Sequence, residues 1–95
     1  MIERRLSDTS ARLRAARDEL QILDEQLDVI SDEAEDLRIR AMVSETPVAL
    51  TEHSMGQRHV TAMGNARKDV TSRIDALTKQ QDDLLDKLSA QRSSP

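Results

Sequence analysis

Few side chains in this sequence can do chemistry. His53 and His59 are its two histidines. On one helix they point about 240° apart, so they can neither close on one metal ion nor work as a paired acid and base. Met55 stands one helical turn before His59, where a thioether and an imidazole can meet, but such a pair is too small a ligand set for a metal site. Cysteine is absent, which removes thiolate ligands, disulfides and thiol nucleophiles. No Gly-rich phosphate loop, HExxH pair or nucleophile elbow is present. These residues predict no catalytic group, no bound metal and no cofactor, hence a protein that is not an enzyme.

Two charged or amphipathic groupings are better candidates for function. Asp24, Asp28, Asp32 and Asp36 recur at four-residue spacing among Glu25, Glu33 and Glu35. That spacing stacks carboxylates along a helix, where they repel one another slightly and invite a cationic partner surface. A solvated helix face would look the same. Arg4, Arg5, Arg12, Arg14 and Arg17 form a basic counterpart near the start of the chain. The second grouping, Arg38, Arg40, Met42, Val43, Glu45, Pro47, Val48, Leu50 and Glu52, mixes apolar side chains with both signs of charge around a break in the pattern. It is the candidate partner-binding tip.

The elements that carry these residues follow from composition and period. The chain has 95 residues, no aromatic residue, two Gly and two Pro, with 37% hydrophobic and 34% charged side chains. Without rings, disulfides or metal, a chain this short is poorly suited to a compact sphere, and its high charge with few breakers is that of long helices. From Ile2, small or apolar residues recur at Leu6, Thr9, Leu13, Ala16, Leu20, Leu23, Leu27, Ile30, Ala34, Leu37 and Ala41, in alternating steps of four and three. A period of 3.5 residues is a coiled-coil seam. Pro47 ends it, since Pro disfavours a helical Thr46 but suits the first position of a new helix with Thr46 as N-cap. The period resumes at His53, Gly56, Val60, Met63, Arg67, Val70, Ile74, Leu77, Gln81, Leu84 and Leu88.

If the second segment folds back on the first, one register pairs both seams. Leu13 with Leu77, Leu20 with Val70, Leu27 with Met63, Ala34 with Gly56 and Ala41 with Ala49 all have residue numbers summing to 90, as do Thr9 with Gln81, Ala16 with Ile74, Leu23 with Arg67 and Leu37 with His53. The register sets small beside small, and sets Thr9 beside Gln81 for mutual hydrogen bonding. Flanking charges support it at Glu19 with Arg73, Glu33 with His59 and Arg40 with Glu52; Arg5 beside Lys87 opposes it. The expected fold is all-α, a long antiparallel two-helix coiled-coil hairpin forming a single unit over 1–95. Helix 1 spans about 2–43, the tip 44–47, helix 2 about 47–91, and a frayed tail 92–95. Gly56 and Gly64 each weaken the second helix by about 1 kcal/mol relative to Ala, either for close helix contact or to keep the tip deformable.

The run Arg38-Ile39-Arg40-Ala41-Met42-Val43-Ser44-Glu45-Thr46-Pro47, with Glu52-His53 and Arg58-His59 after it, resembles the tip segment of short uncharacterised two-helix proteins of actinobacteria. The resemblance implies a helical hairpin in a GC-rich bacterium and no activity.

A two-helix core is thin, which predicts self-association into a helical bundle or docking on a protein partner. A net charge of −4 argues against nucleic acid. No apolar run is long enough to span a membrane, and Met1-Ile2-Glu3-Arg4-Arg5 lacks the apolar core of a signal peptide, so the expected location is the cytoplasm. The expected function is a non-enzymatic interaction module that presents its tip and acidic shaft to a larger partner. The alternatives are a transcription regulator that binds RNA polymerase through a coiled-coil hairpin, with Glu45 and Glu52 near its tip, and a ribosome- or RNA-associated factor using the basic base.

Overall fold

A computed structural model describes residues 1–93. The chain is an antiparallel two-helix coiled-coil hairpin made of α1 (Ile2–Ser44, 43 residues) and α2 (Pro47–Ser93, 47 residues). Arg92 and Ser93, placed in the tail by the sequence pattern, are helical, and the remainder of the expected tail lies outside the described residues. Among the described residues no helix is long and apolar enough to cross a membrane.

The link between the helices is two residues long, and each has a defined backbone role. Glu45 has φ 51°, and its N–H donates to the Ala41 carbonyl at 3.1 Å, closing α1 with a left-handed residue. Gly is the usual occupant of that conformation, and a residue with a Cβ costs about 1–2 kcal/mol there. Thr46 opens α2. Its Oγ1 accepts from the Ala49 N–H at 3.1 Å and its carbonyl from the Leu50 N–H at 3.0 Å, while Pro47 fills the first helical position, where its missing N–H is of no consequence.

The chain divides into two compact units, a terminal unit of residues 1–20 with 69–93 and a turn unit of residues 21–68. In the terminal unit the seam closes. Leu13, Ala16, Val70, Leu77 and Leu84 are buried, and Ile74 packs on the cluster of Leu13, Ala16 and Leu77. Each fully buried aliphatic side chain contributes about 1.5–3 kcal/mol. Thr9 is buried here too, but it does not bond to Gln81 as the register suggested. Its hydroxyl donates to the Arg5 carbonyl at 2.8 Å, one turn back on its own helix, and the Gln81 amide instead donates to Ser10 Oγ at 2.9 Å. A short β-branched hydroxyl satisfies itself locally, while the longer amide reaches past it to the neighbouring residue. On the flank, Arg73 Nη1 donates to Glu19 Oε2 at 2.8 Å.

The turn unit is packed differently. Its buried apolar residues are Ala34, Ala41 and Ala49, and its larger seam residues Leu23, Leu27, Ile30, Leu37, Val60 and Met63 are only half-buried. A Cβ added at Gly56 would lie at ordinary contact distance from Ala34, 3.5 Å from its Cα and 3.6 Å from its Cβ, and only 3.0 Å from Leu37 Cδ1, so Gly56 is in contact across the seam, most tightly with Leu37. Gly64 is not: nothing lies within 4 Å of a Cβ built there, and neither helix contact nor a turn requires glycine. Arg67, which the seam pattern paired with Leu23, swings out so that its Nε donates to Asp24 Oδ1.

Candidate interaction site at the turn

The tip residues all belong to the turn unit, where the short link forces the helix ends to meet. Val43 is 80% exposed, and Val48, Met42 and Leu50 are also exposed. The buried Ala41 and Ala49 lie beneath them. Helical geometry requires this arrangement: once the alanines occupy the seam, their immediate neighbours in sequence must point outward. Glu45, Pro47, Arg40 and Glu52 are exposed around this apolar cap, so the tip is a greasy knob with charged edges.

Arg38 is the tip residue with a fixed local role. It grips Glu35 with both arms of its guanidinium, Nε to Oε2 at 3.0 Å and Nη2 to Oε1 at 2.6 Å, and its Nη1 lies 3.1 Å from Met42 Sδ. This forked pair holds the Glu35 carboxyl below its ordinary value and raises that of the Arg38 guanidinium, the hydrogen bonds being the larger cause in each case. Arg38 is therefore a brace that orients Met42 on the tip. Arg67 is likewise raised, chiefly by its hydrogen bond to Asp24.

The aspartate stripe does not survive as one face. Asp24 is taken by Arg67, and Asp36 lines a surface hollow with Glu33, Leu37 and Arg40, while Asp28 and Asp32 are exposed. Steps of four residues advance about 40° each around a helix, so the outer aspartates end on opposite flanks of the seam. Among the described residues no group of three or more His, Asp or Glu side chains could hold a metal ion.

The histidines differ. His53 is half-buried at the seam, with its Nδ1 buried and without a hydrogen-bond partner. His59 is exposed on the wall of a groove of about 540 Å³, lined also by Ile30, Glu33, Leu37, Met55 and Gly56. A second hollow of about 470 Å³ adjoins it, sharing Ile30 and His59 and adding Val29 and Met63. Motif reasoning did not find this groove. The signal that could have revealed it is Val29, an aliphatic residue off the seam, which is 58% exposed and lines the second hollow.

Comparison with protein-family models, with curated proteins and with solved structures returns no match.

Proposed function

We propose that this chain is a non-enzymatic interaction module of the cytoplasm, a helical hairpin that docks its turn on a larger protein. The observation that carries the proposal is the exposed apolar cap of Met42, Val43, Val48 and Leu50 around a turn closed by Glu45 and capped by Thr46. Solvated hairpin turns have no need of such a cap, and contiguous exposed apolar groups are the usual mark of a binding surface. The fitting partner surface is an apolar pocket rimmed by cationic side chains, which would receive Glu45 and lie against the exposed Asp28 and Asp32 of the shaft. Glu45 supports this reading in a second way: a carboxylate is kept in a backbone conformation where glycine would be more stable.

A photo-crosslinking residue in place of Val43 tests the proposal in the native cell. The expected result is one protein captured in stoichiometric yield, lost when Val48 or Leu50 is changed to Asp and retained when Glu52 is changed to Gln. Capture that persists unchanged in Val48→Asp and Leu50→Asp would refute it.

A further inference from the structure

The turn unit leaves its own seam uncovered. Its buried apolar side chains are alanines, so two helices alone cannot close over Ile30, Leu37 and Met63, which line the groove beside the exposed Val29 and Met55. The terminal unit, with the same period, closes over leucines and valine. The hollow of the terminal unit is smaller, about 340 Å³, and is flanked by Arg12, Glu19 and Arg73, whereas the turn unit leaves the larger and more aliphatic opening.

We infer that a second copy of this chain covers the groove, the two hairpins lying side by side with their turns at the same end, so that α1 of each packs on α2 of the other. Charge selects both the occupant and its orientation. Within the turn unit α1 carries seven carboxylates against Arg38 and Arg40, whereas α2 carries Glu52 alone against Arg58, Arg67 and Lys68, with both histidines besides. The side-by-side arrangement lays each acidic helix on a basic one and makes all neighbouring helices antiparallel. Turning one copy end for end would lay acidic α1 on acidic α1.

Register agrees with charge. Glu33 and His59 stand at one level of the hairpin and Arg40 and Glu52 at another, and none of the four makes an ion pair among the described residues. In the paired arrangement each meets its opposite on the other copy. At the same levels Val29 comes against Met63. The area is sufficient. The turn unit offers two helices about 36 Å long and a face roughly 20 Å wide, so about 1,400 Å² in total would be buried, within the range of stable specific interfaces. The pairing leaves the apolar cap at the turns open on its outer side, so it stands whether or not a larger protein docks there.

Sedimentation equilibrium of the purified chain from about 1 to about 500 µM tests the inference, together with a spin label at Ser44→Cys, which is unambiguous because the sequence contains no cysteine. The expected result is a dimer whose labels lie within about 30 Å of each other. Val29→Lys should raise its dissociation constant by at least about 100-fold, because a cation then faces the basic α2 of the other copy. Val29 is exposed within one hairpin, so this variant should keep its helical circular dichroism. A monomer across the whole range would overturn the inference, as would a dimer indifferent to Val29→Lys or one with labels beyond about 50 Å.

Discussion

The two glycines of α2 look alike in the sequence and should behave differently on substitution. Glycine inside a helix costs about 1 kcal/mol relative to alanine. At Gly64 nothing lies within 4 Å of the new Cβ, so Gly64→Ala should recover that amount in full. At Gly56 the same gain is opposed, because the added Cβ would lie 3.0 Å from Leu37 Cδ1, although its distances to Ala34 are ordinary contacts. Leu37 is half-buried on an open groove and can yield by turning its side chain, at about 0.5–1.5 kcal/mol, which leaves Gly56→Ala near zero. A difference of about 1 kcal/mol corresponds to roughly 4–8 °C in Tm for a chain of this size. Melts followed by circular dichroism at one fixed concentration should rank Gly64→Ala above both wild type and Gly56→Ala by that margin. The decisive control is Leu37→Ala, which removes the obstructing methyl: in that background Gly56→Ala should stabilise by about 1 kcal/mol. If Gly56→Ala matches Gly64→Ala in the wild-type background, or gains nothing when Leu37 is truncated, the close-approach reasoning is refuted.

Three other substitutions read out the turn unit. Glu45→Gly should stabilise the hairpin by about 1 kcal/mol by relieving the left-handed residue, measured as a higher urea midpoint, and should weaken capture of the tip's partner. His53→Leu should stabilise by about 1 kcal/mol, because it removes a buried nitrogen that has no hydrogen-bond partner; a loss of stability would show that the imidazole is satisfied in solution. The Glu35–Arg38 pair should give a small stability advantage over Glu35→Gln at neutral pH. Because the folded carboxyl titrates below its ordinary 4.5, that advantage is present above 4.5 and disappears as pH falls through the folded value, which paired urea titrations at neutral and acid pH would detect.

The fold was legible because a coiled-coil seam is written as spacing, and spacing survives without any knowledge of rotamers. The cluster of Leu13, Ala16, Leu77 and Ile74 is what the register requires. What spacing could not resolve is where a side chain goes once its Cα is placed. Thr9 bonds backward along its own helix, Gln81 reaches Ser10, and Arg67 leaves the seam for Asp24, each choosing a nearby partner over the residue directly opposite. Regular spacing also misled where it was four rather than three and a half, since the aspartate series drifts around α1 instead of facing one way. At the tip, exposure followed from which neighbours the alanines displaced, but the bracing of Met42 by Arg38 depends on a guanidinium rotamer that no pattern encodes.

The division of labour between the two units follows from the size of the residues on one continuous period. Leucine and valine layers in the terminal unit bury large aliphatic side chains between the two helices, Leu13, Val70, Leu77 and Leu84 among them. Alanine and glycine layers in the turn unit bring the backbones close but contribute little area, and they leave the larger neighbours half exposed along a groove. A second bundle layer would bury those neighbours and pair Glu33, His59, Arg40 and Glu52, which make no ion pair among the described residues. Aromatic rings are absent from the sequence, and leucine-sized layers in one unit with alanine-sized layers in the other leave no seam position that calls for one. One period thus encodes two tasks: large residues where the hairpin must close, and small ones where its face is left open for another surface.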